Sequence, residues 1–442
     1  MFEVRESFHD RGPVGESVLM AAGFTRTASG ELVCDGVSLE SIANAVGTPV
    51  YVYSARAIRE QYDALDRSLA PVPHRLHYSM KANSNLAILR VLRERGAGVD
   101  IVSGGELYRA LRAGFSASTI VFSGVGKSPE EMREALAAGI LLFNVESVFE
   151  LEQLNDIAGS MGVRAPVALR VNPEVQVHTP HHYTRTGERG NKFGIPYGEA
   201  LDAARRALAM PNIALRGLDM HIGSQVFELE PYRDGLVRLL ELYEKMRGMG
   251  AFDIRYLDIG GGFAVSYEDE PPMDLEALAG SLLPAIKASG LSLITEPGRF
   301  IVGNAGALLA RVMHRKKAGG KEYIITDAGM NDLVRPSHYD AYHAVEAVQA
   351  REESSVVDVV GPVCESGDFF ALDREVEDVE AGDLIVVRTT GAYGYVMSFN
   401  YNSRPRVAEV LVDGDKFAVV TRRENYEDLV RLEPDHLDWS AG

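Results

Sequence analysis

Cysteine is nearly absent: among 442 residues only Cys34 and Cys364 occur. Two thiols so far apart in sequence supply neither a metal-binding pair nor a disulfide framework, and they fit a reducing cytoplasm. Positive charge is also short. Lys and Arg number 45 against 63 Asp and Glu, a formal charge of −18, so the basic footprint of a nucleic-acid or anionic-membrane binder is missing. No apolar run approaches the roughly 20 residues needed to cross a bilayer. Residues 1–30 mix acidic and basic side chains without the basic-then-apolar order of an export signal. Internal repeats, low-complexity tracts and long flexible linkers are lacking as well. What remains is a cytoplasmic globular chain of two or three domains, expected to act on a small molecule, with no nucleic-acid, membrane or metal partner expected.

What is present is a rhythm. Between residues 46 and 305, eight short apolar runs each end in Gly, Ser, Asn or a charged residue and lead into a stretch of helical periodicity. The runs are 76–81, 99–103, 120–124, 141–146, 167–172, 215–223, 256–262 and 291–299. Segments 85–95, 106–113, 129–138 and 231–248 read as amphipathic helices between them. Eight strand-helix units in about 260 residues suit a closed parallel (β/α)8 barrel better than an open doubly wound sheet, and place a site at the C-terminal ends of the strands. From 306 to 442 strands follow one another without helices, at 307–313, 323–328, 356–363, 384–388, 407–412 and 417–422, which predicts a separate antiparallel β domain. The turn Asp413-Gly414-Asp415 marks a hairpin there. Residues 1–45 stand outside the barrel rhythm, and 32–37 could add a strand to the β domain.

Chemically unusual residues gather at one face of the expected barrel. Lys81 ends the first strand, His221 the sixth, Gly260-Gly261-Gly262 the seventh and Glu296 the eighth. Lys81 alone could be a lysine solvated at a strand end, or the anchor of an aldehyde cofactor, a role that needs a pKa depressed by partial burial near cationic groups. The glycine triplet is either a tight turn or a cradle in which backbone N–H groups approach an anion, shared with Gly298-Arg299. A carboxylate such as Glu296 beside a pyridine nitrogen keeps that nitrogen protonated and makes the ring an electron sink. His221 could stack on a planar ring or be a satisfied core histidine.

The ordered motifs carry a resemblance. Gly47-Thr48-Pro49-Val50-Tyr51-Val52-Tyr53, Tyr78-Ser79-Met80-Lys81-Ala82-Asn83, Val102-Ser103-Gly104-Gly105-Glu106-Leu107, Asn191-Lys192-Phe193-Gly194-Ile195, Met220-His221-Ile222-Gly223-Ser224-Gln225, the glycine triplet and Thr295-Glu296-Pro297-Gly298-Arg299 recur in sequence order. In this the chain resembles the fold-type III, pyridoxal-phosphate-dependent amino-acid decarboxylases, with their alanine racemase-like barrel and β domain, and within them the diaminopimelate decarboxylase family. The resemblance implies that Lys81 binds pyridoxal 5'-phosphate covalently, that His221 stacks on its ring, that Glu296 pairs with the ring nitrogen, and that Gly260, Gly261, Gly262, Gly298 and Ser224 hold the phosphate. It further implies substrate contacts from Arg299, Arg335, Tyr339, Glu365 and Tyr393, with Tyr393 also touching cofactor. Cys364 is implied as the proton donor, supplied by the neighbouring subunit of a homodimer whose sites are shared. Without that resemblance Cys364 reads as a buried structural thiol and Arg335 as a surface charge.

The implied reaction removes one carboxylate from meso-2,6-diaminopimelate and leaves L-lysine. A guanidinium and a carboxylate at the far end of the site, Arg335 and Glu365, would measure chain length and end-group charge. A diamine-forming relative acting on ornithine, lysine or arginine would leave such an arginine unpaired, and a non-catalytic homologue would be expected to lose Lys81 or the phosphate loop. Two departures stand out. Ser79 replaces the usual alanine before the lysine, and the mobile-loop region 176–191 carries His178, His181 and His182, expected to line an entrance rather than a metal site.

Overall fold

The structure, a computed structural model, describes residues 23–179, 181, 187, 190–250, 253–268, 270–437 and 439–440. Residues 1–22 of the N-terminal segment and, in the histidine-rich region, Pro180, His182 and Tyr183 lie outside the described residues.

The eight expected barrel strands form. They are His74–Ser79, Gly98–Ile101, Ile120–Phe122, Leu142–Val145, Ala165–Asn172, Ile213–Asp219, Tyr256–Asp258 and Ser292–Thr295. All neighbouring pairs are parallel, and the pairing of Leu293 with His74 closes the ring. Most positions of these strands are buried on both faces, as expected for parallel strands sheathed in helices, which explains why they read as continuous apolar runs. The helices begin on side-chain caps: Ser103 accepts from the Glu106 N–H, and Ser128 and Glu131 form a capping box with Pro129 in the first turn.

The β domain is mostly antiparallel, with two parallel pairings. Gly306–Ala318 pairs antiparallel with Lys321–Thr326 and Leu384–Val387, whereas Lys321–Thr326 runs parallel to Ser354–Val360. The hairpin at Asp413 is present, with Asp413 opposite Lys416. Two strands went unread in the sequence. Phe369–Glu377 is dense in charge, and Val345–Ala347 is only three residues long.

Two expectations change in detail. Val50–Ser54, inside the span expected to form the barrel, instead joins the second sheet, antiparallel to Gly306–Ala318 and parallel to Ala408–Asp413. Leu32–Cys34 does not extend that sheet. It forms a small sheet with Phe24–Arg26 and Val37–Ser38, tied to the β domain by a bridge between Glu31 and Gln349 and by the Leu32 N–H to Val348 carbonyl bond at 2.7 Å. Strands of two or three residues satisfy one another here, so the larger sheet gains only an edge contact.

Alternation along Val50–Ser54 couples the layers. Val50 and Val52 pack with Phe24, Leu39 and Ile42, while Tyr51 and Tyr53 face the main core. The Tyr53 hydroxyl donates to Glu409 Oε1 at 2.8 Å. Glu409 also accepts from Asn85 Nδ2 at 2.8 Å and Thr421 Oγ1 at 2.6 Å, and Asn85 caps the helix Leu86–Glu94 that follows Lys81. One buried carboxylate therefore joins the β domain to the first barrel unit. Glu409→Leu strands three buried donors and should cost about 2–3 kcal/mol, read as a lower urea midpoint. Glu409→Gln, which keeps an acceptor, should lose less than half of that; equal losses would show that the network is not what joins the layers.

Candidate active site

A cavity of about 730 Å³ opens at the C-terminal ends of the barrel strands, and Lys81, His221, Ser224, Glu296, Arg299, Arg335, Tyr339 and Tyr393 all line it. Barrel turns supply the first five, while Arg335 and Tyr339 come from the β-domain helix Arg335–Tyr339. Tyr393 arrives on a loop pinned to the barrel by its own N–H to the Ala82 carbonyl at 2.8 Å and by Asn83 Nδ2 to the Gly391 carbonyl at 3.1 Å.

The barrel end of the cavity is acidic. Lys81, on the short turn Met80–Ala82 after the first strand, reaches Asp100 Oδ2 at 3.3 Å, and Ser79 Oγ donates to the same oxygen at 2.7 Å. Asp219, Asp258 and Glu296 each bring a carboxylate oxygen within 4.8 Å of the others. Burial raises all three, and mutual repulsion adds to it for Asp219 and Glu296; Glu296 stands well above the usual carboxylate range and Asp258 is pushed up to about 6. Ser123 Oγ at 3.2 Å and Asn144 Nδ2 at 3.1 Å hold Glu296 Oε1 in place. Arg170 offsets part of the charge, 2.9 Å from Glu146 and 3.8 Å from Asp219.

These surroundings overturn one expectation. Burial works to lower the Lys81 pKa, but Asp100, Tyr393 and Glu296 outweigh it and hold the amine above its ordinary value. The lysine is not depressed by cationic neighbours, because the groups around it are predominantly anionic. Its side chain keeps 39% of its surface open toward the cavity.

The glycine triplet shapes the wall rather than lining the cavity. A Cβ on Gly261 would stand 2.1 Å from the Glu296 carbonyl oxygen, and one on Gly260 2.6 Å from His221 Nδ1. Glycine is therefore required by close approach, and Gly260 also has a φ of +68°. The Gly261 N–H donates to His221 Nδ1 at 3.2 Å. With burial, Arg170 and Lys81 pushing the ring's pKa well down, His221 stays neutral. Gly298 packs in the same way against Ser79 and Ala82.

Another part of the wall carries two arginines among aromatic rings, with Glu270 and Asp340 also lining the cavity. Arg299 donates from Nη1 to the Tyr267 hydroxyl at 2.6 Å and from Nη2 to Ser224 Oγ at 3.3 Å, and its guanidinium lies 4.8 Å from the Tyr393 ring centre. Arg335 lies 5.4 Å from the Tyr267 ring and 5.7 Å from the Tyr339 ring, with Nε donating to His343 Nε2 at 3.2 Å. His181 meets Tyr339 edge-on at 5.7 Å and lines the cavity, whereas His178 is exposed.

Cys364 and Glu365 are not brought into this chain's cavity. Both are exposed on the loop between Ser354–Val360 and Phe369–Glu377, where the Cys364 N–H is held by Asn402 Oδ1 at 2.9 Å. Sequence reasoning missed Asp100, Asn144, Arg170, Tyr267 and His343. A signal was available for three of them: Asp100, Asn144 and Arg170 are polar residues inside otherwise apolar barrel strands.

Comparison with known proteins fits this geometry. Residues 55–303 match the family model for the pyridoxal binding domain of pyridoxal-dependent decarboxylases. The chain is 47% identical over 406 residues to the diaminopimelate decarboxylase of Aquifex aeolicus, covering 91% of this chain and 95% of that one. It is 50% identical over 404 residues to that of Pseudomonas aeruginosa, covering 90% and 96%. The crystal structure of diaminopimelate decarboxylase from Helicobacter pylori complexed with L-lysine matches with a TM-score of 0.86 at 41% identity, over 89% of this chain and 98% of that one. A barrel with a lysine, a buried carboxyl and two arginines lining one cavity, together with identity of this extent, places the chain in the diaminopimelate decarboxylase family of pyridoxal-dependent decarboxylases.

Proposed function

We propose that this chain decarboxylates meso-2,6-diaminopimelate to L-lysine and carbon dioxide with pyridoxal 5'-phosphate as cofactor, the last step of lysine biosynthesis by the diaminopimelate route. The observation that carries the reading is a single cavity whose wall brings together Lys81, Glu296, Arg299 and Arg335.

The residues present fit that cofactor. Lys81 offers an amine open to the cavity, and Glu296 offers a buried carboxyl that favours a positive group beside it. Arg299 Nε is buried without a partner among the described residues, next to Ser224, as an anion-binding corner requires. Pyridoxal phosphate, when bound, supplies a protonated ring that accepts the electron pair left behind as the carboxylate departs. Lys81 would hold it covalently, Glu296 would keep a proton on the ring nitrogen, and His221 would flank the ring. Ser224 and Arg299 would take the phosphate, with Gly260, Gly261, Gly262 and Gly298 allowing the turns to approach. Because the Lys81 amine is held in its ammonium form, it must shed a proton before acting as a nucleophile, and Asp100 at 3.3 Å is the acceptor in line.

Arg335, Tyr339 and Tyr393 would bind substrate beside Arg299. Because Cys364 and Glu365 lie outside this cavity, we read them as serving a second copy: the partner subunit's Cys364 would return a proton to the reacting carbon, and Glu365 would hold an ammonium group. The enzyme is thus a homodimer with shared sites, working in the cytoplasm.

Purified protein loaded with pyridoxal phosphate should form L-lysine and carbon dioxide from meso-diaminopimelate; release from ornithine, lysine or arginine instead would overturn the assignment. Borohydride reduction of the loaded protein should label the peptide containing Lys81 and leave Lys81→Ala unlabelled. Mixing inactive Lys81→Ala and Cys364→Ala proteins, after subunit exchange, should restore about a quarter of wild-type activity, since half the dimers then hold one intact site. No recovery would remove Cys364 from the partner's site.

A further inference from the structure

We propose that Tyr267 determines specificity: backed by Arg299, its hydroxyl donates to the carboxylate at the non-reacting end of the substrate, while its ring spaces the guanidinium groups of Arg299 and Arg335. This rests on the function proposed above and names the group that reads the second carboxylate.

Tyr267 stands between the two arginines. Its oxygen accepts from Arg299 Nη1 at 2.6 Å, and its ring lies 5.4 Å from the Arg335 guanidinium. Only 8% of its surface is open, and it lines the cavity. A phenol oxygen that accepts from an arginine still has a proton to give. Among the described residues no acceptor is hydrogen-bonded to that hydroxyl, so its proton is available to an acceptor within the cavity. Burial raises the hydroxyl's pKa, but Arg299 and Arg335 outweigh it and bring the group below the ordinary tyrosine value. Such a hydroxyl is a strengthened donor toward an anion.

The spacing is supported from behind. An arginine Nε–H can only donate, so His343 Nε2 must accept at 3.2 Å, and the neutral ring then carries its proton on Nδ1, facing the Arg388 carbonyl at 2.8 Å. Burial and Arg335 push His343 down to about 3, which keeps that acceptor available. The loop under Tyr267 is closed as well: its N–H donates to Glu270 at 3.0 Å, and Ser266 Oγ donates to the Glu270 carbonyl at 2.7 Å. Two guanidinium groups and one hydroxyl therefore meet around a single ring in the cavity wall before any ligand arrives, which is the preorganisation that carboxylate recognition needs. A terminal ammonium placed there would meet two like charges instead.

The test uses the loaded enzyme and two inhibitors differing by one carboxylate, L-lysine and cadaverine. In Tyr267→Phe, inhibition by L-lysine should weaken about tenfold or more while cadaverine changes by less than about twofold, and KM for diaminopimelate should rise more than kcat falls. His343→Leu should shift L-lysine selectively in the same direction, and His343→Gln, which retains an acceptor for Arg335, should restore most of the loss. Equal weakening of both inhibitors, or unchanged inhibition by L-lysine, would overturn the role of Tyr267. Failure of the wild-type enzyme to turn over diaminopimelate would instead refute the underlying function, so the two failures are distinguishable.

Discussion

The constraint on which this structure turns is the crowding of carboxylates at the barrel mouth. Asp219, Asp258 and Glu296 bring oxygens within 4.8 Å of one another, and Asp100 adds its own negative charge to theirs. Burial and mutual repulsion make full ionisation unfavourable. Arg170 and Lys81 relieve part of this strain, and Asn144 and Ser123 hold the Glu296 oxygen that faces the remainder. A site in that condition favours a cation at Glu296. A protonated pyridine nitrogen placed there would answer the need, so the same electrostatics that make the cluster costly would make it selective for the ionisation state the proposed chemistry requires.

The second domain completes what the barrel cannot. With acids concentrated at the strand ends, a barrel alone would repel the carboxylates of such a substrate. The β domain carries Arg335, and Arg299 rises from the last barrel turn to meet it across Tyr267. Their position depends on the joint between layers, where Tyr51 donates to the Asp332 carbonyl at 2.7 Å and Tyr53 to Glu409, just upstream of Arg335 and beside the first barrel helix.

Much of this was legible in the sequence because parallel barrel strands are buried on both faces and announce themselves as apolar runs that end in polar residues. The same economy hid other features. Val50–Ser54 has the composition of a strand but stood outside the runs read from the sequence: its partners are about 255 and 360 residues away, and no local pattern reveals a pairing of such separation. Phe369–Glu377 escaped because three of its nine residues, Asp373, Glu375 and Glu377, are acidic and a fourth, Arg374, is basic, which suits a solvent-facing edge and masks the apolar alternation. Lys81, His221 and Glu296 were found by motif. Asp100, Arg170 and Asn144 were not, although a polar residue within a doubly buried strand is itself unusual. Tyr267 and His343 carried no such mark: their importance lies in what they touch, and only the fold brings Arg299 and Arg335 to either side of one ring.

The resulting polarity sorts end groups rather than whole ligands. Negative charge gathers around Lys81, and Arg299 and Arg335 add positive charge to the same cavity, so a carboxylate is favoured at the arginines whichever end of the chain carries it. These groups are buried in a cavity wall rather than displayed on the surface, and mobile ions screen them weakly. Selection by end-group charge should therefore persist at ionic strengths that abolish surface steering, since discrimination resides in contacts made after entry. With the distal carboxylate held at the arginines as proposed, the other end of the chain would be the one left to reach the Lys81 amine.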